Sequence, residues 1–464
     1  MNRKNIFQTA SIVAAALALS ACATHKVAEP LTLESSGQVL SAKQTTESYD
    51  VNGDWWQIYQ DESLNSLINQ ALQNNINLRQ AALNVNKALY QANIIGANLT
   101  PSFNSSLGAS ASKNLKTGGS SSNSFSSQMG LSYELDLWKK LSAQTDAQVW
   151  EYQAGRKDLA AARLTLINNV ADAYFNIAYL NEAIALTQKS VNQYQDIDRI
   201  VRAKYRYGKV SSAEPNQSEQ SLLTLQSTLL NLKSSRENLE TTLRNLLNLK
   251  PSENPVVTSE HYRLPKKVGN VDLNVPITVL ANRPDLRAAE YRLQSSLRSL
   301  EAQKRSWYPS ITLGASLNTA SDKASSLFKV PVLGGSVQIN LPFLNWKVLK
   351  WEDKTAEANF ESARLSFEEA LTTALNEVNS HYRLYQTGLQ TLSNLERRYA
   401  LDKKNSRYYQ VRYQYGKNEL KSWLEALNSE YGSEQNVLSQ RYEVLKYENM
   451  IYKAMAGRYT PKDY

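Results

Sequence analysis

The sequence predicts a mainly α-helical protein with a β-barrel part, in which long coiled-coil helices adjoin four membrane-spanning strands. Three observations support this prediction. Only 17 glycines and 12 prolines occur in 464 residues, about half the usual share, which favours long and uninterrupted helices. Apolar residues follow a heptad spacing over 166–205 and again over 378–413, as they do in coiled coils. Four further segments alternate apolar and polar residues, as amphipathic strands do.

The first 21 residues are predicted to be a signal peptide. Arg3 and Lys4 precede an apolar run at 12–19, which is too short to span a bilayer. The following Ser-Ala-Cys, ending at Cys22, resembles a bacterial lipobox, in which the cysteine is lipidated and becomes the first residue of the mature chain. Cys22 is the single cysteine of the sequence, and the alanine after it implies sorting to the outer membrane. The alternative is an ordinary signal peptide, cleaved just before a cysteine that stays free.

The rest of the chain is predicted to be a tandem duplication, in which matching positions differ by a constant amount in residue number. The segment Tyr205–Lys209 matches Tyr413–Lys417, and Trp138 matches Trp346 at the same offset. Such a repeat indicates two structural halves. The predicted division is a lipidated N-terminal segment, a first repeat, a linker, a second repeat and a C-terminal tail, at 22–60, 61–250, 251–271, 272–458 and 459–464.

Each half is predicted to contain one long helix and two short ones. The long helices, at about 137–207 and 346–415, would each measure ~105 Å, because an α-helix rises about 1.5 Å per residue. In each half the two short helices together match the long one, so stacking them end to end would form a helical tube. The predicted short helices lie at about 61–96, 214–249, 272–305 and 419–457.

Two pairs of strands are predicted, one pair in each half. In the segment 102–112, Phe103 and Leu107 share one face while serines occupy the other, and the three remaining strands repeat this alternation. Each strand is long enough to cross an outer membrane when it is tilted. A serine- and glycine-rich face with no core beneath it favours a water-filled pore. The residues predicted to face this lumen are Gln128, Glu134, Asp136, Gln338 and Asn340.

Four amphipathic strands cannot close on themselves, and hydrocarbon does not tolerate open sheet edges. Two copies would provide eight strands, whose inward side chains fill the interior. Three copies would provide twelve strands, which is the smallest closed ring of this chain with an open channel. The sequence therefore predicts a homotrimer.

These features together resemble the outer-membrane factor family, the TolC-like channels, and specifically its OprM/NodT-type lipoprotein branch. The resemblance covers nearly the whole mature chain and implies a homotrimeric 12-stranded barrel continued by an α-helical tunnel. It further implies a passive exit duct for small molecules in tripartite efflux or type I secretion, gated at its periplasmic tip. The implied partners are a periplasmic adaptor (membrane fusion) protein, an inner-membrane pump and outer-membrane lipid. The matching motifs are the lipobox, the Trp55–Trp56 pair with the segment 61–68, the Pro-Ser strand starts at 101 and 309, and the Tyr-x-Tyr-Gly turns at 205–208 and 413–416.

The two Tyr-x-Tyr-Gly turns are predicted to form the periplasmic tip, because glycine suits the left-handed backbone that often ends a helix. The resemblance matches Tyr413 with a gate-latching tyrosine and Glu425 with a constriction aspartate. The family's latching arginine falls on Asn418, so the resemblance implies either a weaker latch or one that uses Arg412. Where the family usually has Val-Gly and an apolar residue, this chain has Tyr-Gly-Lys. The complete set of tip candidates is Tyr205, Gly208, Glu214, Arg412, Tyr413, Gly416 and Glu425.

Other classes of protein are disfavoured by what the sequence lacks. It contains no glycine-rich phosphate loop, no His/Cys metal-ligand spacing and no Ser-His-Asp order, so no enzymatic activity, metal or cofactor is expected. The net charge of +9 is not concentrated in a basic cluster, so no nucleic-acid partner is expected. The alternative function is a structural or adhesive coiled-coil lipoprotein without a pore. The two strand pairs, each with a polar face, favour the channel.

Overall fold

The computed structural model describes residues 49–461, apart from 114, 116–120, 266–267, 269–270, 273–274 and 276. The predicted signal peptide and Cys22 lie outside the described residues, as do the last three residues of the predicted tail. Among the described helices, none has a stretch long and apolar enough to cross a membrane.

Seven α-helices and six strands make up the described part of the chain. The helices are α1 (Glu62–Asn74), α2 (Ile76–Gly96), α3 (Lys140–Arg206), α4 (Ala213–Leu246), α5 (Pro284–Arg305), α6 (Trp346–Gln414) and α7 (Leu420–Ala454). The strands are β1 (Tyr49–Asn52), β2 (Ser102–Ser112), β3 (Ser122–Leu135), β4 (Ser310–Ser321), β5 (Val332–Asn340) and β6 (Arg458–Pro461). The two predicted long helices and the four predicted amphipathic strands are present.

The prediction of one helix over 61–96 is wrong, because Asn75 divides it into α1 and α2. The backbone of Asn75 is extended, with ψ at 123°. Its side-chain oxygen accepts from the backbone N–H of Leu78 at 3.0 Å, which caps α2, and its Nδ2 donates to the carbonyl of Leu246 at 2.9 Å. One asparagine therefore provides hydrogen-bond partners for a backbone N–H at the start of α2 and for a backbone carbonyl at the end of α4.

The placement of Asp136 on a strand is also wrong, since β3 ends at Leu135. The Asp136 carboxylate instead accepts hydrogen bonds from the backbone N–H groups of Leu141 and Ser142, each at 2.9 Å. These N–H groups have no partner within the first turn of a helix, and the positive end of the helix dipole lies there. Asp136 thus stabilises the beginning of α3.

Strands β2 to β5 form an antiparallel four-stranded sheet in the order β2-β3-β4-β5. In the first pair Ser102 lies opposite Ser132, and in the last pair Ser310 lies opposite Asn340. The predicted alternation is preserved across the sheet, because residues directly opposite each other share a face. The apolar face carries Phe103, Leu107, Met129, Leu131, Tyr133, Ile311, Leu313, Leu317, Val337 and Ile339.

A second, two-stranded sheet joins the two ends of the described chain. Tyr49 of β1 lies opposite Pro461 of β6. Next to β1, Trp55 is fully buried, and its Nε1 donates to the side-chain oxygen of Asn449 at 3.2 Å. This pairing is not predictable from the sequence, because segments of four residues carry too little periodicity to identify a strand.

The described chain divides into two compact units, and each combines parts of both predicted halves. The first unit contains 83–156 and 288–368, which include the four-stranded sheet. The second contains the described residues of 40–82, 157–287 and 369–464. In the second unit many of the predicted heptad positions of α3 and α6 are buried, among them Val170, Ile177, Val191, Val201, Val378, Tyr385 and Leu392, whereas Tyr205 at the end of α3 is 48% exposed.

Candidate functional site

Two glycine turns end the long helices α3 and α6 with the same hydrogen-bond pattern. Gly208 and Gly416 have φ angles of 67° and 69°, in the left-handed region that glycine adopts without steric cost. The N–H of Gly208 donates to the carbonyl of Tyr205, and the N–H of Lys209 donates to that of Lys204, both at 2.9 Å. The turn at Gly416 repeats both bonds at the equivalent positions of the second half. Both helices therefore end in a Schellman motif, and the predicted glycine turns are present.

Beside these turns, Tyr413 of α6 lies between Lys204 of α3 and Trp423 of α7. The Lys204 ammonium donates to the Tyr413 hydroxyl at 3.1 Å and lies 4.2 Å from the centre of its ring. Tyr413 also stacks on Trp423, with ring centres 5.3 Å apart. Hydrogen bonding, cation–π attraction and stacking thus join helices from both hairpins. Neither Lys204 nor Trp423 was among the residues predicted for the tip, although Lys204 lies one helical turn before Gly208.

The side-chain hydrogen bonds that the structure shows for Arg412 go to residues other than Tyr413. Its Nε donates to the side-chain oxygen of Asn418 at 2.8 Å, and its Nη1 donates to the Tyr408 hydroxyl at 3.1 Å. Both partners belong to the same hairpin as Arg412. The residue that bridges the two hairpins at Tyr413 is Lys204, so Arg412 stabilises its own turn.

Glu214 lies in the first turn of α4, as predicted, and faces two further charges. Burial raises the pKa of its carboxyl group above the usual range, and the negative charge of Glu419 adds to this effect. The positive charge of Lys204 opposes it. One carboxylate oxygen of Glu214 is buried and has no hydrogen-bond partner among the described residues. The start of α4 therefore carries a carboxylate that takes up a proton at a higher pH than an ordinary glutamate does.

Glu425 lies in the second turn of α7, and its side chain is 65% exposed. Its nearest cationic partner is Lys421, at 3.9 Å. A contact of this length between exposed side chains holds a carboxylate weakly. Glu425 is therefore free to interact with mobile ions.

The polar face of the four-stranded sheet contains four of the five predicted lumen residues. Gln128 lies opposite Ser106 on one side and Asn318 on the other. Glu134 forms an ion pair with Lys140 at 2.7 Å, so its charge is balanced. The other two, Gln338 and Asn340, lie opposite Thr312 and Ser310. Nowhere in the described ranges do three metal-ligating side chains come together.

A sheet with one apolar and one polar face, continued by long helices that turn back at glycines, defines a class of channel proteins of the outer membrane. The family model described as "Outer membrane efflux protein" matches residues 67–249 and 275–457. The chain therefore belongs to the outer membrane efflux protein family. It is an efflux channel of the outer membrane, as the resemblance predicted.

Similar proteins agree with this assignment. "Toxin and drug export protein A" of Aggregatibacter actinomycetemcomitans is 41% identical over 420 residues, which cover 90% of this chain and 92% of that protein. "Probable outer membrane lipoprotein SilC" of Salmonella typhimurium is 27% identical over 88% of this chain and 89% of its own length. The crystal structure of the Campylobacter jejuni CmeC outer membrane channel has the same fold, with a TM-score of 0.82. It is 23% identical and covers 94% of this chain and 95% of that one.

Proposed function

We propose that the protein is the passive, homotrimeric exit duct of a tripartite export machine, with an inner-membrane pump and a periplasmic adaptor as its partners. The observation that carries this proposal is the open sheet. In the part of the chain that the structure describes, β2 and β5 are edge strands, each paired on one side only. An apolar sheet face suits lipid, but a bilayer requires every backbone group to be paired. Three copies satisfy this requirement with twelve strands and leave a channel.

The distribution of side chains supports passive conduction of small molecules. With the apolar face toward lipid, the polar face that carries Gln128 and Gln338 lines the lumen. Such a surface of serine, asparagine and glutamine side chains hydrates a solute without binding it tightly. The name of the relative from Aggregatibacter supports export of drugs and toxins as the general role, and a type I secretion machine would use the same duct.

We place the gate at the tip formed by the two Schellman turns. Two turns from each of three copies would surround the entrance with six helical hairpins. Tyr205, Gly208, Glu214, Arg412, Tyr413 and Gly416 belong to these turns or to the helix ends beside them, while Glu425 lies slightly farther along α7. Three Glu425 carboxylates at a narrow entrance would attract cations, and multivalent cations most strongly.

Single-channel recording in planar bilayers tests both the duct and its gate. Purified protein is expected to conduct with a preference for cations and to be blocked by divalent cations. Glu425→Ala is expected to reduce the cation preference and to weaken the block several-fold, because it removes the carboxylate ring without removing buried contacts. The ratio of cation to anion permeability and the concentration of divalent cation for half block measure these effects.

Glu430→Ala is a matched control, because it removes a carboxylate of α7 farther from the turn. It should change neither quantity appreciably. Unaltered selectivity and block in Glu425→Ala would show that this residue faces away from the conduction path. A trimer that never conducts would contradict the duct and favour a structural lipoprotein without a pore.

We also propose that Cys22 anchors the protein by a lipid, since a relative is named as a probable outer membrane lipoprotein. Metabolic labelling with a fatty-acid analogue should mark the wild-type protein, whereas Cys22→Ser should lose the label, because no other cysteine is present. Equal labelling of both proteins would contradict the anchor. Channel assembly should largely survive the substitution, because the strands themselves hold the protein in the membrane.

A further inference from the structure

A polar cavity of about 240 Å³ lies within the second compact unit. It is lined by one face of α3, by the residues at the start of α5, by α6 and by the end of α7. None of the residues assigned to the tip lines it. Among its polar side chains are Asn168, Arg283, Asp285, Glu377, His381 and Lys453.

Arg283 holds three elements together at this cavity. Its Nε and Nη2 donate to the carboxylate of Asp285 at 3.0 and 2.6 Å, and Nη2 also donates to Glu377 of α6 at 2.9 Å. Its Nη1 donates to the carbonyl of Ala454, the last residue of α7, at 3.2 Å. Both carboxylates of the cavity are therefore already bound to Arg283.

The first half of the chain has a neutral version of this arrangement. Asn75 is the repeat equivalent of Arg283, and it bonds to the carbonyl of Leu246, the repeat equivalent of Ala454. The charged or titratable residues of the cavity are Arg283, Asp285, Glu377, His381 and Lys453. The equivalent positions of the first half hold Asn75, Asn77, Asn169, Ala173 and Asn245. The fold therefore needs a hydrogen bond to the end of the helix here, but neither a charge nor a histidine.

Two residues that line the cavity each have a buried polar atom without a hydrogen-bond partner in the described part of the chain. These atoms are Oδ1 of Asn168 on α3 and Nδ1 of His381 on α6, and Asn168 is only 9% exposed. An amide oxygen only accepts hydrogen bonds, whereas both ring nitrogens of a protonated histidine donate them. The cavity thus contains an unused acceptor together with a nitrogen that becomes a donor when the ring takes up a proton.

The surroundings of His381 determine when it takes up that proton. Burial lowers the pKa of His381, and the positive charges of Lys453 on α7 and of Arg283 add to this effect. Glu377, one turn earlier on α6, opposes it. Helix α3 contributes only neutral side chains to the cavity, and the carboxylate of Asp285 is held by Arg283. His381 is therefore neutral at neutral pH, and its protonation in acid is costly unless the new N–H finds an acceptor.

We propose that the cavity is a proton-binding site, in which protonated His381 donates from Nδ1 to Oδ1 of Asn168, directly or through one water molecule, and so links α6 to α3 in acid. The link satisfies both unpaired atoms at once, and a hydrogen bond from a charged donor is among the stronger ones. The cavity has room for a bridging water. This inference goes beyond the proposed duct, since it concerns contacts within one chain and does not depend on the number of copies.

The link determines how the second unit responds to acid. A histidine whose pKa is lower in the folded protein than in the unfolded chain makes the protein less stable as the pH falls, because the unfolded chain then binds more protons. The link reduces this loss, since it stabilises the protonated histidine in the folded protein. Asn168→Leu should therefore lose more of its Tm than the wild type does between about pH 7.5 and about pH 5.

NMR titration of the purified full-length protein with isotope-labelled histidine tests the link directly. The sequence has three histidines, and the signal that is absent from His381→Ala identifies His381. Asn168→Leu keeps a side chain of similar size but removes the acceptor, so the pKa of His381 should fall by about one unit. The matched control Thr165→Val removes a polar group of α3 from the same cavity but leaves that oxygen in place. It should shift the pKa by less than half as much, because it changes only the polarity of the cavity.

A measurement on the wild type keeps the test independent of whether Asn168→Leu folds. In acid, the Nδ1–H of His381 should exchange with water at least roughly tenfold more slowly than a ring N–H of His261, because a buried hydrogen bond protects it. His261 is an internal control, since its side chain is exposed.

Each outcome decides the inference. Equal pKa shifts in Asn168→Leu and Thr165→Val, or no shift in either, would show that Asn168 is not the acceptor and would overturn the link. Exchange of the His381 Nδ1–H as fast as that of His261 would overturn it as well. Neither result bears on the proposed duct, which is tested separately by conductance and by trimer assembly.

Discussion

Leu131→Arg and Ile339→Arg are expected to prevent most of the protein from assembling in the outer membrane. Both side chains lie on the apolar face of the sheet, where Leu131 is opposite Phe103 and Ile339 is opposite Ile311. An arginine facing lipid near the middle of a barrel strand costs about 2–4 kcal/mol. That cost lowers the equilibrium constant for assembly by roughly 30- to several-hundred-fold. The fraction of the protein that migrates as a trimer after extraction from membranes measures the loss.

The matched controls place the same arginine on the other face of the same strands. Gln338 is the chain neighbour of Ile339 and lies opposite Thr312, and Gln128 lies on the same polar face. Gln128→Arg and Gln338→Arg should assemble normally and shift ion selectivity toward anions. If all four variants assemble equally well, the apolar face does not meet lipid and the assignment of the two faces is wrong.

Trp423→Ala is expected to lower the free energy of local unfolding beside the two glycine turns by about 3–5 kcal/mol. This is the usual cost of truncating a buried tryptophan. The Trp423 side chain is 8% exposed and belongs to a buried cluster with Val191, Tyr194 and Leu424. Its removal also takes away the ring on which Tyr413 stacks. Local opening at the start of α7 should become easier. Amide hydrogen exchange in residues 420–428 should accelerate by about two to four orders of magnitude, with little change in the four-stranded sheet.

Two substitutions serve as controls for Trp423→Ala. Trp423→Phe keeps an aromatic ring in the cluster and should cost less than about 1.5 kcal/mol, since the indole N–H has no hydrogen-bond partner in the described ranges. Tyr415→Ala removes a side chain that is 76% exposed and should change the free energy of opening by no more than about 0.5 kcal/mol. Equal exchange rates in Trp423→Ala and the wild type would show that the tip does not depend on this cluster.

Some features of the candidate site follow from the conformational preferences of single residues. Others depend on contacts between residues that are distant in sequence. The turns at Gly208 and Gly416 were predictable, because a left-handed residue at a helix end favours glycine whatever surrounds it. The partner of Tyr413 was not predictable. Lys204 is 209 residues away in sequence, and only the packing of two hairpins brings it there. The error at Asp136 has a local origin instead, since an acidic residue at a strand–helix boundary fits the polar face of a strand as well as the start of a helix until the first helical residue is known.

The sequence by itself determined the long helices, the four amphipathic strands and the duplication. Each of these follows from the helical or the strand periodicity of apolar residues, or from a repeat that can be read along the chain. Only the tertiary structure decided the strand order β2-β3-β4-β5 and the pairing of β1 with β6. It also decided the division of the first predicted helix at Asn75 and the contact of Lys204 with Tyr413. These features depend on which distant segments share a surface. The free energy that stabilises these features arises from burial and hydrogen bonding between distant segments. The pattern of apolar residues within one segment does not specify which other segment it contacts.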